Sequence, residues 1–208
     1  MYAIIEDGSI SRYINYPKAI TIGDVQYPAK IFSAWTANEL AAIGIIEVTF
    51  DDSNKKNEQW YTNTNQTYTY DASAGTVTAT YGTATAKAHA DTLFTAQDET
   101  DGLGTEGEVK VEGLKTVLIR TVKAQAEDLL NQTDWYITRK AEKNIAIPSA
   151  ITTWRDGIRT KQAAMETSIT NASNTPALET LYTYVNTADE GDPKVMERPL
   201  GEFPELGS

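Results

Sequence analysis

At 208 residues with 40% hydrophobic side chains, the chain can bury a core as one domain or two small ones, and it is too apolar for wholesale disorder. A formal net charge of −11 argues against phosphate backbones and anionic membrane surfaces as partners, since both are held by clustered Lys and Arg. The absence of cysteine excludes disulfides, thiolate nucleophiles and Cys-ligated zinc.

The opening Met1-Tyr2-Ala3-Ile4-Ile5-Glu6-Asp7 lacks the basic start of a secretory signal. The longest apolar run, residues 40–48, is too short for a bilayer and is broken by Gly44 and Glu47. These features lead us to expect a soluble chain. Residues 1–50 read as a compact βαβ-like unit. Asp7-Gly8 between apolar runs is a hairpin signal. Thr36-Ala37-Asn38-Glu39 is a capping box: the Thr36 hydroxyl accepts from the Glu39 N–H while the Glu39 carboxylate reaches back. Gly44 suits the position just after that short helix, and Ile45 to Phe50 then reads as a strand.

Composition shifts to Thr, Tyr, Ala and Gly over residues 60–87. Tyr68-Thr69-Tyr70 and Val77 onward read as two strands joined by a turn at 71–75. With both faces polar, such a hairpin has a register only loosely set by burial, and Tyr68 and Tyr70 become candidate partner contacts. Residues 97–109 hold several acids and three glycines, the composition of a linker or flexible loop. Beyond it, Leu114, Val117, Leu118, Val122, Ala126, Leu129 and Leu130 recur at helical spacing.

A joint follows around Trp135, where Thr133 or Asp134 can cap the next turn. Pro148 fits the first turn of a further helix striped by Ile151, Trp154, Ile158, Met165 and Ile169. Pro176 opens a last segment through Leu178, Leu181 and Val185. One-sided helices must bury their stripes, and an αα-hairpin is the economical arrangement. The fold class expected is therefore α+β. A β-rich region with one short helix spans 1–96, a linker or loop 97–109, a helical hairpin domain 110–186 and an extended acidic tail 187–208. Leu200, Phe203 and Leu206 are the tail residues able to dock onto a neighbouring surface.

Chemistry is sparse. The lone histidine, His89, has no nucleophile elbow to serve and reads as a surface or structural residue. Asp51-Asp52, Asp98-Glu99 and Asp189-Glu190 all lie in loop-like contexts, whereas glycosidase chemistry needs two carboxylates fixed across a cleft. The acidic run 98–102 faintly suggests a calcium loop but lacks its ligand spacing and closing Glu. Gly102, Gly104 and Gly107 spell Gly-x-Gly-x-x-Gly after a polar acidic run that would repel a pyrophosphate. We expect no catalytic residue, no cofactor and no metal. Trp135 and Trp154, like Trp35 and Trp60, read chiefly as packing anchors, with partner contact as the alternative.

One family resemblance adds to this reading. Residues 128–130 followed by Thr133-Asp134-Trp135-Tyr136, Arg139-Lys140-Ala141-Glu142, Ile147-Pro148 and Trp154-Arg155-Asp156-Gly157-Ile158-Arg159 resemble the helical segment common in tail-fibre, tail-fibre-assembly and other virion proteins of tailed bacteriophages. The start, Met1 to Gly8 with Thr36-Ala37-Asn38-Glu39-Leu40 and Gly44-Ile45, is similar to the N-terminal unit of such proteins. The resemblance covers roughly residues 1–50 and 115–185 and carries no catalytic residues. It implies a non-enzymatic structural protein of the virion, in the tail, baseplate or tail-fibre region. Such a protein would be made in the host cytoplasm and present as a homo-oligomer or in multiple copies in the virion. Its contacts with other tail proteins would fall to the candidates read from the residues themselves, Trp135, Trp154, Tyr68, Tyr70 and Phe203, and the net charge leads us to expect no nucleic-acid or membrane partner. A tail-fibre-assembly chaperone is the alternative it implies, and a carbohydrate-active tail enzyme a more distant one.

Overall fold

A computed structural model describes residues 1–207 and shows an α+β protein that divides into two compact units, Met1–Thr85 and Ala86–Ser208. The division falls at residue 85, ahead of the expected 97–109 linker.

In the first unit β1 (Tyr2–Glu6) and β2 (Ser9–Ile14) form the expected hairpin. Its turn residues Asp7 and Gly8 take φ of 49° and 75°, the positive values that suit a tight hairpin turn. A second hairpin, β3 (Ile20–Ile22) with β4 (Val25–Tyr27), precedes two short helices, α1 (Ile31–Ala34) and α2 (Ala37–Ala42). The capping box on α2 is complete: Thr36 accepts from Glu39 N–H, and the Glu39 carboxylate accepts from Thr36 N–H at 2.7 Å. The backbone N–H of Thr36, then its hydroxyl, donate to the Glu39 carboxyl and keep it below its ordinary pKa.

The chain then runs through β5 (Ile45–Asp51), β6 (Tyr61–Thr62), β7 (Gln66–Asp71), β8 (Thr76–Tyr81) and β9 (Thr85–Ala86). The main sheet has the order β2-β1-β5-β8-β7, while β6 pairs with β9. All its pairings are antiparallel except β5 with β8. The expected βαβ-like unit is thus corrected: β5 returns antiparallel beside β1, because the two short helices turn the chain back without a crossover.

Strand alternation separates two faces. One carries Ile4, Ile14 and Ile45 against Ile31, Phe32 and Leu40 of the helices. The other carries Ala3, Val48, Val77 and Ala79, with Tyr68 and Tyr70 packed against them. Burial therefore does fix the β7–β8 register, contrary to the two-polar-faces expectation. Shifting it by one residue would bring Thr78 inside in place of the fully buried Val77.

The second unit begins with β10 (Thr92–Leu93), α3 (Ala96–Thr100) and β11 (Val109–Val111), where β10 and β11 pair antiparallel. The supposed linker is a closed, hydrogen-bonded loop. Thr95 and Asp98 form a second capping box on α3, and Lys110 bonds Asp98 at 2.6 Å. Acids and glycines at 97–109 serve caps and turns here, the other use of the same composition.

Three helices follow, α4 (Leu114–Asn131), α5 (Asp134–Lys143) and α6 (Ser149–Asn171), of which α4 and α6 build the core of this unit. The α4 stripe Leu118, Val122 and Ala126 and the α6 stripe Trp154, Ile158, Met165 and Ile169 are buried. The pairs Arg155 with Leu130 and Lys115 with Thr170 set the two helices antiparallel. Full burial of Ile158, Met165 and Ile169 contributes up to about 1.5–3 kcal/mol each. Pro148 sits just ahead of α6 as its N-cap residue, with its ring pre-set for the turn.

Asn174 caps α7 (Thr175–Tyr182), which stops before Val185. Val185 instead lies in β12 (Val185–Asn186), paired with β13 (Met196–Glu197). The expected extended tail is also corrected. Leu200 is buried and its N–H bonds Leu181 O at 3.0 Å, while Phe203 packs on the Ala126, Trp154 and Ile158 cluster. Among the described residues, no helix is long and apolar enough to cross a membrane.

Candidate interaction surface

The joint between α4 and α6 is organised by one side chain that periodicity had not singled out. Arg155 is 7% exposed, and its guanidinium donates to Leu130 O at 2.7 Å and to the Thr133 hydroxyl oxygen at 2.7 Å. It also lies 2.8 Å from the Asp134 carboxylate. Arg155 thereby adds a donor to the Leu130 carbonyl, which also accepts from the Thr133 N–H, and to the Thr133 hydroxyl oxygen at the break between α4 and α5. Thr133 itself is buried, and its hydroxyl donates back to Leu130 O. The side-chain cap anticipated from Thr133 or Asp134 is not made, because the Thr133 hydroxyl is committed to Arg155 and Leu130.

With the break fixed, α5 projects without burying any of its residues. Trp135 is 52% exposed, with its ring centroid 3.8 Å from that of Tyr136. The Arg139 guanidinium covers both rings at 4.7 and 5.1 Å, which stiffens this aromatic face from one side. Ile137 and, after the helix, Ile145 are exposed as well. Asn144 ends α5 in the left-handed conformation at φ 56°, and Lys140 and Lys143 lie in its last turn, where cations favour the helix dipole. An exposed tryptophan on an unburied helix is unlike Trp154, which is 7% exposed and donates from Nε1 to Pro204 O at 2.8 Å.

The five residues proposed for partner contact thus separate. Trp135 faces outward and alone fits that role directly. Trp154 and Phe203 come together, but in a core cluster within the chain, so the packing reading holds for Trp154. Tyr68 and Tyr70 share a face of β7 and are half-buried against the first unit's sheet. Tyr68 also stacks on Tyr13 with centroids 4.7 Å apart. Trp60 is buried, and Trp35 is partly exposed beside Tyr27.

Arg155, Arg139 and Tyr13 were missed. A signal for Arg155 was present: it falls four residues after Ile151 and three before Ile158, on the apolar stripe of α6. A cation there has to be paired.

The remaining chemical candidates have local uses. Asp98 is occupied by Thr95 and Lys110, and the Asp51 carboxylate accepts from Ser53 N–H. The glycine motif at 102–107 lies in the turns between α3 and β11 and opens no helix. No group of three or more His, Cys, Asp or Glu able to hold a metal occurs among the described residues. The first unit has an aromatic cleft of about 280 Å³ lined by Tyr2, Phe32 and Trp35, and the second a groove of about 670 Å³ between α6 and residues 204–207.

Comparison with known proteins finds no matching family, no similar curated protein and no similar solved structure.

Proposed function

We propose that this chain is a non-enzymatic structural protein of a tailed-bacteriophage virion, in the tail, baseplate or tail-fibre region. It acts through protein–protein contacts, in multiple copies, after synthesis in the host cytoplasm. The resemblance at residues 128–159 supplies the setting. The observation that carries the contact role is Trp135, 52% exposed on a helix that buries none of its own residues. Aromatic side chains presented by a rigid scaffold are the usual anchors of protein interfaces. In this reading the Thr133–Arg155 clasp holds α5 at a fixed angle, and the Trp135, Tyr136 and Arg139 stack meets a neighbouring tail protein.

Mass spectrometry of purified, intact virions tests the reading. The expected result is this chain at a stoichiometric level. Recovery only with unassembled fibre, never in particles, would replace the reading with that of a fibre-assembly chaperone.

A further inference from the structure

Residues 200–207 occupy their own helices as a peptide ligand occupies a groove. Leu200 is buried at the end of α7, Phe203 enters the Ala126, Trp154 and Ile158 cluster, and Pro204 offers its carbonyl to the Trp154 indole. Gly157 of α6 faces the Pro204 ring so closely that an added Cβ would lie 3.3 Å from Pro204 Cγ. An apolar anchor, one backbone acceptor and a glycine clearing a proline are the features of linear-segment recognition.

The segment also brings its own shape. Gly201 turns at φ 69° with its N–H on Arg198 O, and Arg198 bonds Glu202 at 2.6 Å. The chain joining it to α7, residues 183–199, makes the two-residue β12–β13 pairing, whose residues are all exposed, with Val195 bonded to Asn186 and Thr187, and its Arg198 lies 5.5 Å from the Tyr182 and Tyr184 rings. A preformed ligand on a largely exposed tether can leave as a unit once the Arg198 contacts break.

We propose that the α4–α6 groove accepts residues 200–207 of a second copy of this chain in place of its own, so that adjacent copies are linked by exchanged segments. Exchange remakes every contact of the closed form, so its cost is the loss of the tether's local concentration, which is in the millimolar range for a short flexible linker. Copies held side by side in an assembly reach comparable local concentrations. The inference does not depend on which assembly that is, and it is tested on the isolated protein.

The natural absence of cysteine gives a clean readout. Thr153 and Glu205 both line the groove. The doubly substituted T153C/E205C chain, diluted and treated with a short bis-maleimide, should cross-link internally. Differently tagged T153C and E205C chains, mixed at high concentration, should cross-link to each other as a hetero-dimer. Adding Phe203→Ala to the E205C chain should lower that yield on the order of tenfold, the effect of losing a partly buried aromatic anchor. Internal cross-linking without any between copies overturns the exchange. Cross-linking between copies that ignores Phe203→Ala shows random collision and overturns it too. Failure of the internal cross-link removes the docked segment from which the proposal starts.

Discussion

Arg155 and Thr133, 22 residues apart in sequence, meet at 2.7 Å inside the second unit, and this contact turns a helix break into a fixed joint. Removing the cation takes the donor from the buried Thr133 hydroxyl oxygen and leaves Leu130 O with only the Thr133 N–H and hydroxyl, which costs about 1–3 kcal/mol beyond the lost packing of the side-chain stem. Arg155→Met, which keeps the stem, should lose about 2–3 kcal/mol, and Arg155→Ala more. Asp134→Asn should lose under about 1 kcal/mol, since the Asp134 side chain is 53% exposed. Urea midpoints at unchanged m separate these variants. An Asp134→Asn cost equal to that of Arg155→Met would shift the weight of the joint from the buried hydroxyl and carbonyl to the ion pair.

Gly44 closes α2 and hands the chain to β5. Its φ is 78°, and an added Cβ would lie 2.6 Å from Ile5 O, a backbone atom fixed by strand pairing. Gly44→Ala therefore combines left-handed strain with a clash that no rotamer can relieve, at about 2–3 kcal/mol. Scanning calorimetry should show a lower Tm. An unchanged Tm would mean that β1 shifts away from Gly44 at no cost.

These two sites mark how far the sequence was legible. The Thr36–Glu39 capping box, Gly44, the Asp7-Gly8 hairpin and the α4 and α6 stripes each rest on local chemistry and form as read, save that Val117, counted in the α4 stripe, is exposed. What failed depends on distant partners. Tyr13 and Tyr68 stack because the sheet curls until its edge strands β2 and β7 approach, over the small side chains of Ala3 and Ala79. No local pattern contains that closure. The acids at 97–109 were misread because Asp98 as a cap and Asp98 as a solvated linker residue look alike until Lys110 is placed beside it. Residues 187–208 were misread similarly: few apolar groups suffice once Trp154 supplies a donor and a pocket.

Asp98 gives the loop at 92–111 a pH dependence. The bond from Lys110, then those from the Thr95 N–H and hydroxyl, hold its carboxyl at about 2, below the ordinary 3.8. A carboxyl with a lower pKa folded than unfolded supports the folded loop fully above about pH 4, and that support fades as pH falls towards about 2. The protection factor of the Phe94 amide, whose N–H bonds Glu108 O, should fall over that interval once the intrinsic pH dependence of exchange is divided out. Asp98→Asn should show the faster exchange already at pH 7 and lose its steep acid dependence. Equal exchange in both proteins at pH 7 would show that β10–β11 pairing alone holds the loop.

The two tryptophans of the joint should respond oppositely. Trp154 is enclosed by Ala126, Ile158 and Phe203, so Trp154→Ala opens a cavity and orphans Pro204 O, at about 3–5 kcal/mol. Trp135 loses only its stack with Tyr136 and Arg139, so Trp135→Ala should cost about 1 kcal/mol or less. If Trp135 anchors a tail partner, the same substitution should weaken that association about thirtyfold, the equivalent of a 2 kcal/mol hot spot. Urea denaturation and pull-down with the neighbouring tail proteins read the two quantities separately. A large stability loss for Trp135→Ala would mean that α5 packs on its own chain in solution. An unchanged association would remove the α5 face from the contact.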